Sequence, residues 1–249
     1  MVIFVYGTTG ELIKIAPLIN AMDKKKVLLI NTMQQPQLIH KFRQATGFRS
    51  DDYMLTRGGK GGRDLQTISD AFGWLVSLVW NIQRQHVIRI IKNLSQAEPV
   101  IVAVHGDTMT TVMGAILARL AGASFTHVEA GLRSGNWKHP FPEELDRRIV
   151  AKLARDNDIH FPPAVHAEES LMREKVRGLV VNTLANTVAD SAIWASGISL
   201  KRSLQLPKKY ILVSVHRNEF LVQQKKAVSY THLRAHETKA NLVCRLLLE

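Results

Sequence analysis

Apolar positions fall into two alternating patterns along this chain. Short continuous runs rich in β-branched residues, such as Val2–Tyr6, Val27–Ile30 and Ser124–Val128, alternate with longer stretches like that carrying Leu12, Ile15, Ala16, Leu18 and Ile19, whose apolar residues recur at helical spacing. A strand that is apolar throughout has to be covered on both faces, so the pattern predicts a mostly parallel sheet with helices on each side. Strands are expected at Val2–Tyr6, Val27–Ile30, Pro99–Val104, Ser124–Val128 and Asp158–Phe161. Helices are expected after Gly10, over Gln37–Ala45, through a long region from Leu65 to Leu94, over Thr108–Leu120 and over Glu143–Arg155. Between them, RGGKGGRD at Arg57–Asp64 holds too many glycines for regular structure and reads as a loop. The fold class is α/β, a doubly wound parallel sheet of the Rossmann-like kind.

This first domain is expected to occupy residues 1–196. A polar linker with Pro207 follows over 197–209, and the apolar run Tyr210–Val215 opens a second domain within 210–228. At 249 residues and 46% apolar composition, the chain has material for one large domain or one and a half ordinary ones. No apolar run approaches the roughly 20 residues of a membrane span, and MVIFVYGTTGE lacks the basic start of a signal peptide, so the expected location is the cytoplasm. The single cysteine, Cys244, excludes a disulfide framework and a cysteine-rich metal site. A net charge of +12 raises the question of nucleic acid. The basic residues are dispersed, however, over Lys24–Lys26, Arg84–Lys92 and Lys201–Lys209, with no binding motif among them. A small polyanion such as a nucleotide sugar accounts for the sign of the charge equally well.

In open α/β sheets ligands bind beyond the carboxyl ends of the strands, so the residues that follow each strand are the ones to test. Gly7 and Thr8 open a turn into a helix that carries Lys14 one turn along; free N–H groups and a lysine there suit an anion, although an ordinary tight turn has the same composition. Asp107 follows the strand ending in Val104 and reads first as a helix cap, although a doubly wound fold also presents its acids to the crevice at this position. Glu129 follows the next strand, and it has no cap to make before Gly131. Pro142 and Glu143 form a helix start, with Glu143 to Arg147 and Glu144 to Arg148 as candidate i,i+4 ion pairs. The case for function rests on convergence: successive strand ends and the next helix start all offer a carboxylate to one crevice. There is no H-E-x-x-H and no G-x-S-x-G, and His127-Val128-Glu129 is not followed by P-C-x-x-C, which speaks against metal and serine-hydrolase chemistry.

Taken in order, GTTGELIKIAP, HGDTMTT, HVEAGLRSG, PFPEELDRR, NTVAD and ILVSVHRNE resemble the motifs of the non-hydrolysing UDP-N-acetylglucosamine 2-epimerases, from about Val2 to Glu219. The resemblance implies a GT-B fold, with the site between two Rossmann-like domains, and a homodimer for the full-length protein. It also implies interconversion of UDP-GlcNAc and UDP-ManNAc through elimination and re-addition of UDP, with no redox cofactor and no metal. On the matching positions it makes Asp107 and Glu129 the acid/base pair, with Glu143 assisting, and adds Lys14, Arg147 and His216 as further site residues. A hydrolysing epimerase, another GT-B glycosyltransferase and a non-catalytic anion-binding module remain as alternatives.

The sequence departs from that pattern in three places. Thr9 and Gly10 stand where many members have arginine and proline, and Ala185 replaces a glycine before Asn186. After Glu219 the family's H-P-N-P, D-S-G-G and T-x-E-R-P-E segments are absent. Residues 229–249 resemble translated adapter sequence instead, so the chain is expected to be an N-terminal fragment with a non-native tail and little activity alone.

Overall fold

The computed structural model describes residues 1–83, 86–136 and 140–198. Seven strands and eight helices run in the order β1 (Val2–Tyr6), α1 (Thr9–Ala21), β2 (Val27–Asn31), α2 (Pro36–Thr46), β3 (Tyr53–Met54), α3 (Ile68–Gln83), α4 (His86–Ala97), β4 (Ile101–His105), α5 (Met109–Ala121), β5 (Ser124–Val128), α6 (Glu143–Leu153), β6 (Ile159–Phe161), α7 (Val165–Arg173), β7 (Leu179–Val180) and α8 (Val188–Ser196). Every strand pairing is parallel, in the order β3-β2-β1-β4-β5-β6-β7. This is the doubly wound α/β sheet that the alternating pattern predicts. Strand order reverses between β1 and β4, which opens a crevice at their carboxyl ends.

The two layers of core follow from the alternation of side chains along the central strands. Ile3 and Val5 face one way, with Val102, Val104, Leu117 and Phe125; Phe4 and Tyr6 face the other, with Leu12, Ile15, Leu29 and Ile39. Each such side chain contributes about 1.5–3 kcal/mol by leaving water. α5 packs closely on the sheet at Gly114, where a Cβ would come within 2.6 Å of Val104 and 3.2 Å of Val5. Its absence lets α5 lie against β1 and β4 and brings the start of that helix to the crevice.

Several elements differ from expectation. The long helical region is two helices, α3 and α4. β3 and β7 are two residues long, too short for alternation to register in a sequence. α7 and α8 were not anticipated either, because each buries little: Ala167 and Leu171 in α7, Ser191 in α8. α8 is held against α1 by a hydrogen bond from Ser191 Oγ to the Ile13 carbonyl at 2.7 Å, while Trp194 packs on Phe42 with ring centres 5.9 Å apart. No helix among the described residues is long and apolar enough to cross a membrane. The second-domain start and tail expected at 210–228 and 229–249, most of the expected linker, and His216 lie outside the described residues.

Candidate active site

The turn after β1 is closed by its own glutamate. Thr8 caps α1, accepting from Glu11 N at 3.2 Å, and Glu11 Oε2 accepts in return from Gly7 N at 2.9 Å, Thr8 N at 2.8 Å and Thr8 Oγ1 at 2.9 Å. Thr9 N donates to Gln35 Oε1 at 3.0 Å. The free backbone N–H groups expected at Gly7 and Thr8 are therefore occupied, which corrects the reading of this turn as an open anion cradle. Thr-x-x-Glu is a capping-box signature, so the sequence held the signal. Glu11 is fully buried, and burial outweighs its hydrogen bonds to raise its pKa. Its other oxygen accepts from Thr108 Oγ1 at 2.6 Å and so joins the turn after β1 to the turn after β4. Gly7 is required by close approach, since a Cβ there would lie 2.1 Å from Thr32 Oγ1 and 2.6 Å from Thr110 Oγ1.

Across the crevice, Glu129 follows β5 with φ of 65°, a left-handed conformation that costs a non-glycine residue on the order of 1 kcal/mol or more. Its carboxylate is held from three sides. Lys14 Nζ lies 2.6 Å from Oε2, Asn186 Nδ2 donates to Oε1 at 2.9 Å, and His105 Nε2 is 3.2 Å from Oε2 without the alignment of a hydrogen bond. Burial, and then the Lys14 charge, lower the His105 pKa to about 3, so this histidine is neutral. Lys14, expected as a site residue, pairs with Glu129. His105 and Asn186 lay inside the recognised motifs, but nothing in their spacing pointed to Glu129.

Asp107 is not a cap. Thr108 caps α5, accepting from Thr111 N, which leaves the Asp107 carboxylate free to pair with Arg147 of α6. Arg147 also reaches Glu144 Oε2 at 3.4 Å, so the expected Glu143 to Arg147 pair gives way to one with Asp107 and Glu144. The Glu144 to Arg148 pair forms, at 3.1 Å. Pro142 is the cap residue of α6 and Glu143 its first helical residue. Glu143 Oε2 is buried without a hydrogen-bond partner, as are both oxygens of Asp146, a residue that sequence reasoning passed over. Asp146 is 1% exposed, and its pKa is pushed up to about 7 by burial and then by the charges of Asp107 and Glu143.

The carboxyl ends of β1, β4 and β5 and the start of α6 thus bring carboxylates and two cations to one crevice. Gly106 N bonds the Val128 carbonyl at 2.9 Å, which sets the turns bearing Asp107 and Glu129 side by side. Similar proteins share this chain's sequence and fold. The curated UDP-N-acetylglucosamine 2-epimerase of Salmonella borreze is 31% identical over 232 residues, an alignment covering 88% of this chain and 57% of that protein. A crystal structure of a UDP-N-acetylglucosamine 2-epimerase superposes with a TM-score of 0.61 at 30% identity, over 82% of this chain and 52% of the other. The Methanocaldococcus jannaschii UDP-GlcNAc 2-epimerase in complex with UDP-GlcNAc and UDP gives a TM-score of 0.57 at 28% identity, over 77% and 48%. The chain therefore spans little more than half the length of such relatives. The sequence model described as UDP-N-acetylglucosamine 2-epimerase matches residues 80–244, ending within the stretch 229–249. With that match covering most of its length, the chain belongs to the UDP-N-acetylglucosamine 2-epimerase family.

Proposed function

We propose that this domain is one half of a non-hydrolysing epimerase that interconverts UDP-GlcNAc and UDP-ManNAc. What supports the reading is the pairing of Glu129 with Lys14 and of Asp107 with Arg147 on the adjacent turns after β4 and β5, beside the switch point, with Glu143 at the start of α6. The C2 proton of the sugar is not acidic, and its direct removal would leave a free carbanion. Loss of that proton coupled to departure of UDP avoids this: the C2–H and C1–O bonds break, a C1=C2 double bond forms, and UDP leaves with the electron pair. UDP then re-adds at C1 while a proton reaches C2 on the opposite face. A proton-transfer group is needed on each face, and the adjacent turns that carry Asp107 and Glu129 are suited to supply them. Glu143 assists from α6. Lys14 and Arg147 put positive charge near the leaving diphosphate. Gly7 and Thr8 shape the wall of the crevice, and His216 is carried as a further site residue from the motif resemblance.

Because the chain spans about half the length of its relatives, the activity belongs to a protein carrying both halves, and the chain alone is expected to turn over little. The test is UDP-GlcNAc in D2O with such a protein. Deuterium at C2 and UDP-ManNAc without accumulating UDP are expected. Free UDP with ManNAc would replace this reading by a hydrolysing one, and no C2 deuterium would refute both. For the same protein we propose a homodimer; exposed Phe72 and Val76, one turn apart on α3, are the apolar surface that supports it. Light scattering at the protomer mass would overturn that.

A further inference from the structure

Where the β4–α5 turn meets the first turns of α6, acids outnumber cations among the described residues. Asp107, Glu143, Glu144 and Asp146 face Arg147 and Arg148, and the cations are already engaged: Arg147 with Asp107 and Glu144, Arg148 with Glu144 and, at 3.9 Å, Glu174. One oxygen of Glu143 and both of Asp146, three residues apart on one helix face, have no hydrogen-bond partner among the described residues. An unpaired charge in such surroundings is so costly that a carboxyl takes up a proton instead. Asp146 is the more deeply buried of the two, with neither oxygen hydrogen-bonded.

We propose that Asp146 is a positioning residue that stores a proton in the site, and that as a neutral acid it leaves Arg147 committed to Asp107. Ionised, it would stand as an uncompensated charge beside Asp107 and Glu143. Neutral, it spares the crevice one negative charge where an anionic nucleotide sugar has to bind. The charged groups that act on it are Asp107, from the turn after β4, and Glu143, from α6 itself, and their combined effect with burial raises its pKa to about 7. The chemical purpose assigned to this proton rests on the epimerase reading; its presence does not.

The test is a carbon NMR titration of the full chain labelled at its aspartate carboxyl carbons. The resonance lost in Asp146→Asn is expected to titrate about three units above an ordinary aspartate. The Asp107 resonance, assigned through Asp107→Asn, should show a second inflection at the same pH that vanishes in Asp146→Asn. Should Asp146→Asn fail to fold, Asp107→Asn alone suffices, since removing that charge has to lower the Asp146 midpoint. An Asp146 midpoint near that of an ordinary aspartate, an Asp107 curve without the second inflection, or an Asp146 midpoint indifferent to Asp107→Asn overturns the proposal. A protein carrying both halves that holds this proton without turning over UDP-GlcNAc refutes the epimerase reading alone. One that turns over with Asp146 titrating normally refutes the stored proton alone.

Discussion

Glu129 and Asp107 stand on adjacent turns, yet their surroundings are opposite in kind. Around Glu129 the partners suffice: Lys14 compensates its charge, Asn186 takes the second oxygen, and the neighbouring His105 is neutral. Around Asp107 they do not, among the described residues, since Arg147 is divided between Asp107 and Glu144 while one oxygen of Glu143 and both of Asp146 go without. The first arrangement fixes one carboxylate in place on a left-handed backbone. The second couples several acids through a shortage of cations. The reaction proposed above, which takes a proton on one face and delivers one on the other, has use for both kinds.

That contrast can be broken in a graded series. The largest effect is expected from Glu129→Gln, which keeps the shape but removes the proposed acid/base group; C2 deuterium exchange in a protein carrying both halves should fall by about 10²- to 10⁴-fold, and an unchanged rate would remove Glu129 from the chemistry. Arg147→Ala strands Asp107 and part of Glu144 and should cost about 2 to 3 kcal/mol of stability in urea unfolding, at or below the low end for a buried ion pair because Asp107 is half-buried. Asp146→Asn sharpens the comparison through pH. Its folded-state pKa of about 7 lies above the unfolded value, so its contribution is complete below about pH 4 and is lost as pH rises through about 7. Asp146→Asn should abolish that decline and be more stable than the parent at pH 8 by on the order of 2 kcal/mol, with the difference shrinking at pH 5. Thr8→Ala, away from both clusters, should cost about 1 kcal/mol by uncapping α1, read as a lower melting temperature.

The central strands were legible because their apolar runs are bounded by turn residues: β1 and β5 fall at the expected residues. The edge strands were not, since two residues hold no period. In the site, Asp107, Glu129 and Glu143 could be picked out as acids at strand ends and at a proline-led helix start. Their partners could not. Arg147 is four residues from Glu143, a spacing that favours a helix pair, yet it turns to an aspartate forty residues away in sequence. Asn186 reaches Glu129 only because α8 docks on α1. Burial of Asp146 likewise depends on how α6 is laid down, which no local pattern records.

The capping box at Thr8 has a further effect, on what the domain refuses. The start of a helix after a central strand is a common resting place for phosphate, but here Glu11 is seated against the Gly7 and Thr8 amides. A stray small anion meets a carboxylate rather than open donors. These two amides are thus closed as a phosphate cradle by the scaffold itself, so a ligand of the crevice has to be held by other groups, such as the side chains of α1 and α6.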